Sequence, residues 1–165
     1  MKSLKRLVLA SAALILMAGC SNQPTAPDVN YTTLTNQTQS FKNLQGKVVL
    51  VDFWATSCTG CVEEMAEMTK TYQQFNPRGY EMVAVAMSYD PPEYVRNFVA
   101  TRKLPFSVTM DSDGSLQKAF GEKFTEIVAV PTTFLIGKDG KLIKTYVGSP
   151  NFTELRQEIE KALQS

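Results

Sequence analysis

Cys58 and Cys61 are the residues of this chain best placed to do chemistry. They stand as Cys58-Thr59-Gly60-Cys61, where the hydrophobic run Val48-Val49-Leu50-Val51-Asp52-Phe53-Trp54-Ala55 gives way to an amphipathic segment, residues 62–75. Two cysteines at that spacing can close a small disulfide. A thiol at the start of a helix is also a good nucleophile, because the helix N-terminus and its free N–H groups favour thiolate over thiol. Two other readings fit the pair: half of a zinc site, or two buried structural thiols. Zinc asks for about four ligands, and the chain has no histidine and no second cysteine pair. A turn between strand and helix favours redox chemistry.

Two carboxylates stand near the pair in sequence. Asp52 is the one charge inside the hydrophobic run, and Glu64 follows Cys61 by about one helical turn. A carboxyl held in apolar company has a raised pKa, which suits it to proton transfer near neutral pH. Both are therefore candidate proton acceptors for the more buried cysteine. The plainer alternatives are an exposed strand position for Asp52 and a solvated helix face for Glu64. Trp54 reads as packing beside the turn, and Pro131, in Val130-Pro131-Thr132, reads on its own as a strand-entry proline.

The elements that must position these groups follow from hydrophobic period. The unbroken apolar run 48–54 suits a strand covered on both faces. Residues 59–75 fit a helix whose stripe is Val62, Met65, Ala66, Met68, Tyr72 and Phe75, with Glu63, Glu67 and Lys70 toward solvent. Gly79 stops it. Residues 80–87 form a second buried strand, and Pro91-Pro92 open a helix to about Thr101. A short strand, 106–110, leads to Asp111-Ser112-Asp113-Gly114, which reads as a turn because the further ligands of a calcium loop are missing. A short helix covers 115–120. Strands at 132–136 and 142–147 flank an Asp139-Gly140 hairpin signal. A closing helix spans 151–163, with Thr153 as its cap. Residues 31–35 alternate weakly, as a short edge strand does. This order predicts one α/β domain, a three-layer sandwich with a mixed central sheet flanked by helices.

A chain of 165 residues with net charge +1 and 44% hydrophobic content suits one globular domain and gives no sign of nucleic-acid binding. Its start is different in kind. Lys2, Lys5 and Arg6 precede an apolar stretch, residues 7–17, too short to span a bilayer comfortably and built like an export signal. Leu16-Met17-Ala18-Gly19-Cys20 resembles the bacterial lipobox, with Met17 where that pattern prefers leucine. The resemblance implies a signal peptide over residues 1–19 and a lipid on Cys20, which would hold the domain at a membrane without a spanning helix. An ordinary signal peptide that leaves Cys20 free is the alternative. Residues 20–28 then read as a flexible tether, and 29–165 as the domain.

Val51-Asp52-Phe53-Trp54-Ala55 before Cys58-Thr59-Gly60-Cys61, with Val130-Pro131-Thr132 later, resembles the thioredoxin superfamily. The insertion before the hairpin and the export and anchor signals narrow the likeness to the membrane-anchored TlpA/ResA-like thiol–disulfide oxidoreductases. The resemblance implies a thioredoxin-like fold and roles by position. Cys58 matches the exposed nucleophile, Cys61 the resolving cysteine, and Pro131 the cis-proline that faces the disulfide. Val130 and Trp54 match the substrate-facing surroundings, Glu64 an acid near the active site, and Asp52 the buried aspartate of thioredoxin proper. Ser57 and Gly60 depart from the tryptophan and proline usual at their positions, which makes the surface more polar and the turn looser. No cofactor or metal is implied. The implied partners are oxidised protein substrates, for example in cytochrome c or copper-site maturation, and a membrane electron donor of the DsbD/CcdA type, for a monomeric periplasmic domain. A disulfide oxidase or isomerase is the alternative direction. A copper-handling assembly factor, using the thiolates with Met87 or Met110, is the alternative class, and the lack of histidine weighs against it.

Overall fold

In the computed structural model, which describes residues 23–165, the run Val48–Trp54 is buried along its whole length as the middle strand of a five-stranded sheet. In chain order the elements are β1 (Asn30–Thr32), β2 (Thr38–Ser40), β3 (Val48–Trp54), α1 (Thr59–Phe75), β4 (Tyr80–Ala86), α2 (Pro92–Arg102), β5 (Ser107–Met110), α3 (Ser115–Lys123), β6 (Thr132–Ile136), β7 (Leu142–Val147) and α4 (Phe152–Gln164). The sheet order is β5-β4-β3-β6-β7. β3, β4 and β5 run parallel, whereas β6 and β7 run antiparallel to their neighbours, so the sheet is mixed as expected.

Alternate residues of β3 feed two cores, as the two-residue period of a strand requires. Val48, Leu50 and Trp54 pack under α1 and α4 with Met65, Met68, Phe75, Leu155 and Ile159, and Val95 of α2 joins them. Val49, Val51 and Phe53 pack on the other side with Phe120 of α3 and with Phe41, Tyr31 and Phe134. Phe120 is the hub of that second layer, with ring centroids 5.0 Å from Phe41, 5.5 Å from Phe53 and 5.7 Å from Phe134. Helices thus cover both faces, and the three-layer expectation holds.

Several local expectations need correction. The edge strand expected at 31–35 is β1, which pairs with a polar strand, β2, that carried no hydrophobic signal. The buried face of α1 is Cys61, Glu64, Met65, Met68, Thr71 and Phe75. Ala66 is exposed and Val62 only half-buried, so the helix is rotated by about one position and draws Glu64 inside. Asn151, not Thr153, caps α4, its Oδ1 accepting from the N–H groups of Thr153 (3.0 Å) and Glu154 (3.2 Å). Turn chemistry at 111–114 holds: the Asp111 carboxylate accepts from the N–H groups of Leu116 and Gln117 at the start of α3.

The segment expected as a loose tether is partly docked. The Ala26 N–H donates to the Gly140 carbonyl (2.8 Å), the Leu142 N–H to that of Pro24 (2.9 Å), and Thr25 bridges Lys141. Further on, Thr33 bridges Thr109 and the Leu34 N–H donates to Val108 at the edge of β5. One strap therefore meets both outer strands of the sheet and occupies main-chain groups that an open edge would expose. Residues 1–19 and Cys20, the expected signal and lipid site, lie outside the described residues.

Candidate active site

The fold brings the candidate residues to one end of the sheet. β3 runs through Ala55 into a turn closed by the Cys58 N–H on the Ala55 carbonyl (3.2 Å), and Cys58 is the N-cap of α1. Its Sγ accepts from the Cys61 N–H at 3.2 Å, the helix-start donation that stabilises negative charge on sulfur. Cys58 and Cys61 are joined as a disulfide, with Cα atoms 5.3 Å apart. Cys61 has no exposed surface, while Cys58 is half-buried, so a substrate can reach only the first sulfur.

On the other flank, β6 is entered through a cis Val130–Pro131 bond. Two hydrogen bonds shape that loop: the Thr132 hydroxyl donates to the Ala129 carbonyl (2.7 Å), and the Gly148 N–H to that of Pro131 (2.8 Å). The Val130 carbonyl oxygen lies 3.6 Å from Cys58 Sγ. Val130 is half-buried and Val128 is 80% exposed, giving the loop an apolar rim beside the accessible sulfur.

Asp52 and Glu64 are both inside the protein, on the α1 side of the sheet with Cys61. β3–β6 pairing sets Asp52 opposite Thr133, whose hydroxyl donates to Oδ1 at 2.9 Å. Oδ2 has no partner. Burial drives the Asp52 pKa well above the ordinary carboxyl range, the nearby Glu64 charge pushes the same way, and the Thr133 hydroxyl opposes them. Glu64 is 4% exposed, and among the described residues neither of its oxygens has a hydrogen-bond partner of normal geometry. Burial pushes its pKa up to about 7, with the Ser149 hydroxyl close enough to counter this in part. The exposed-strand and solvated-face alternatives are thereby excluded for the two carboxyls. Desolvation without compensating bonds is what leaves a carboxyl able to hold a proton near neutral pH.

The remaining expectations divide. Trp54 is fully buried and stacks near Phe98, with ring centroids 5.2 Å apart. It has no surface to offer a substrate, which corrects its assignment to substrate binding and leaves its packing role. Ser57 is exposed before the first cysteine, giving the polar approach expected of it. Met87 packs in the layer opposite Cys61. Sequence reasoning missed Thr133 and Ser149. Strand register alone could have found Thr133. Ser149 sits in the loop after β7, its Oγ 3.6 Å from where a Cβ on Gly60 would stand, and nothing in its local sequence marks it.

The comparisons agree with this geometry. Residues 21–163 match the Redoxin family. The thiol–disulfide oxidoreductase ResA of Bacillus thuringiensis subsp. konkukian (strain 97-27) is 32% identical over 136 residues, covering 82% of this chain and 75% of that protein. A solution structure from Neisseria meningitidis, described as a thioredoxin, is 42% identical and superposes with a TM-score of 0.78, covering 87% of this chain and 93% of that one. A thiol:disulfide interchange protein of the thioredoxin family from Chlorobium tepidum TLS has a TM-score of 0.79 at 26% identity, covering 87% and 98%. With its Cys-x-x-Cys pair at a strand–helix turn, the chain belongs to the redoxin family and, within the thioredoxin superfamily, to the TlpA/ResA-like thiol–disulfide oxidoreductases.

Proposed function

We propose that the chain is an extracytoplasmic disulfide reductase, anchored to a membrane through Cys20, that reduces exported proteins with Cys58 as nucleophile and Cys61 as resolving thiol. The observation that carries this reading is the accessible Cys58 sulfur at the start of α1, beside cis Pro131, with the buried Cys61 behind it.

In the forward reaction the Cys58 thiolate attacks one sulfur of a substrate disulfide. That bond breaks, the departing substrate sulfur takes up a proton, and a mixed disulfide forms. Val130 and Pro131 offer a main-chain edge along which the segment around the substrate cysteine lies. Cys61 then gives its proton to Glu64 or Asp52 and attacks Cys58 Sγ. The second substrate thiolate leaves and is protonated as Cys58–Cys61 closes. The substrate gains two electrons and two protons; the enzyme pair supplies both electrons and the Cys61 proton, and the second proton comes from solvent, because Cys58 attacks as the thiolate. A membrane electron donor of the DsbD/CcdA type returns the pair to the dithiol.

The deciding measurement is the reduction potential of the Cys58–Cys61 pair, equilibrated against glutathione or dithiothreitol. A value near or below about −230 mV is expected of a reductase, whereas a value near about −120 mV would make the protein an oxidant. Cys58→Ser should abolish turnover, and retained activity would overturn the mechanism. Cell fractionation of a Cys20→Ala variant tests the anchor: the protein should leave the membrane fraction, and its staying there would remove the lipid from the proposal.

A further inference from the structure

Asp90 lies outside the chemistry described above, yet it is 2% exposed and both its carboxylate oxygens are engaged by one residue of the redox turn. The Thr56 N–H donates to Oδ2 at 2.6 Å and the Thr56 hydroxyl to Oδ1 at 2.5 Å. Thr56 stands two residues before Cys58, inside the turn that the Cys58 N–H closes on Ala55. Asp90 closes a turn of its own, its N–H donating to the Met87 carbonyl at 3.0 Å, while the Met87 N–H bonds Trp54 at the end of β3. Pro91 and Pro92 follow at once and lead into α2. A residue that precedes proline is confined to the extended region, so the carboxylate is presented from backbone with little freedom. A buried carboxylate could satisfy itself on any donor. This one ties two neighbouring turns together.

We propose that Asp90 is a positioning residue for Cys58, latching the Ala55–Cys58 turn to the loop after β4 so that the Cys58 sulfur stays against the N–H groups of α1 when its disulfide opens. In the oxidised protein the bond to Cys61 itself holds the sulfur in place. Reduction removes that bond. The turn and the Cys61 N–H at 3.2 Å must then keep the thiolate in register, and the turn's outer support is the Thr56–Asp90 pair. The latch therefore matters most in the dithiol, the state that attacks.

The inference rests on Cys58 being the attacking thiol, and the test separates the two. Reduced wild type, Asp90→Ala, Asp90→Asn and Thr56→Val are alkylated across a pH series, and the modified cysteine is identified by peptide mass. The buried Asp52 and Glu64 carboxyls are common to all four proteins, so differences between their profiles isolate the latch. Asp90→Ala loses both bonds, and its Cys58 midpoint should rise by on the order of half a pH unit, roughly threefold less thiolate at neutral pH. Thr56→Val keeps the main-chain bond and should move the same way by less. Asp90→Asn can still accept from the Thr56 N–H and donate to its hydroxyl, and should restore the wild-type midpoint. If Asp90→Ala unfolds, the milder Thr56→Val still decides the matter by its midpoint. Unchanged midpoints in folded variants would overturn the latch. A lowered midpoint in Asp90→Asn would also overturn it, because the carboxylate would then act through its charge. Alkylation of wild type at Cys61 instead would overturn the proposed role of Cys58, a result that no shift among the variants can imitate.

Discussion

At the scale of single residues, Glu64 couples stability to function most directly. Its carboxyl is buried with neither oxygen hydrogen-bonded in normal geometry, and its pKa is pushed up to about 7, mainly by burial. A group with a raised native pKa binds its proton more tightly folded than unfolded, so the protonated form favours the native state. That contribution is complete below the unfolded value, near 4.5, and is lost as pH rises through about 7. Glu64→Gln removes the linkage, and urea unfolding should then show less loss of stability between pH 5 and pH 8, by at most about 3 kcal/mol. Catalysis runs the other way. A Glu64 that accepts the Cys61 proton must be ionised, so resolution of the mixed disulfide should slow as pH falls below about 7 in the wild type. In Glu64→Gln resolution should be slower throughout and that limb flatter. Rapid-quench trapping of the mixed disulfide reads it. An unaltered limb would pass the proton to Asp52, whose pKa is raised by burial and by Glu64 itself.

Elements were legible where burial and period agree. β3, β4 and the β6–β7 hairpin are apolar enough to read from sequence, and the Cys-x-x-Cys turn between β3 and α1 marks the site. The misplaced face of α1 has a physical cause. Hydrophobic period assumes that inward positions are apolar, and α1 buries a carboxyl and a threonine instead. Thr71 is reconciled with burial by hydrogen bonds, donating to the Glu67 carbonyl at 2.8 Å and accepting from Arg156 Nε at 3.2 Å. Glu64 has no such bonds of normal geometry among the described residues. Asn151 and Thr153 are both competent caps for α4, and only the chain's entry angle decides between them. β2 is three polar residues that pair through main chain and one Tyr31–Gln39 side-chain bond, so no hydrophobic pattern announces it. Ser149 and Asp90 reach the site from loops after β7 and β4, which adjoin it only once the sheet is assembled.

For the molecule as a whole, the N-terminal strap is the largest departure from the sequence reading. Its polar, proline-bearing composition suggests a flexible spacer up to residue 28, yet residues 24–26 bond the turn between β6 and β7 and the first residue of β7, and Ala26 and Val29 pack against the Phe120 layer. That attachment lies at the far end of the sheet from the cysteines, since β6 runs from Pro131 at the site to Ile136 at the hairpin. A variant beginning at Val29 loses the Ala26–Gly140 and Pro24–Leu142 bonds and uncovers part of the surface formed by Phe41, Leu44, Val49 and Ile136. At about 0.5–1.5 kcal/mol net for each hydrogen bond, it should be less stable by roughly 1–3 kcal/mol than a variant beginning at Gln23. Its reduction potential should not move, because the bonds of residues 24–26 go to the hairpin end of the sheet, away from the cysteines. Equal stability of the two variants would return residues 24–28 to the role of a spacer. A changed potential with unchanged folding would mean that the strap communicates along β3 to the site, so that its docking and the redox chemistry are coupled.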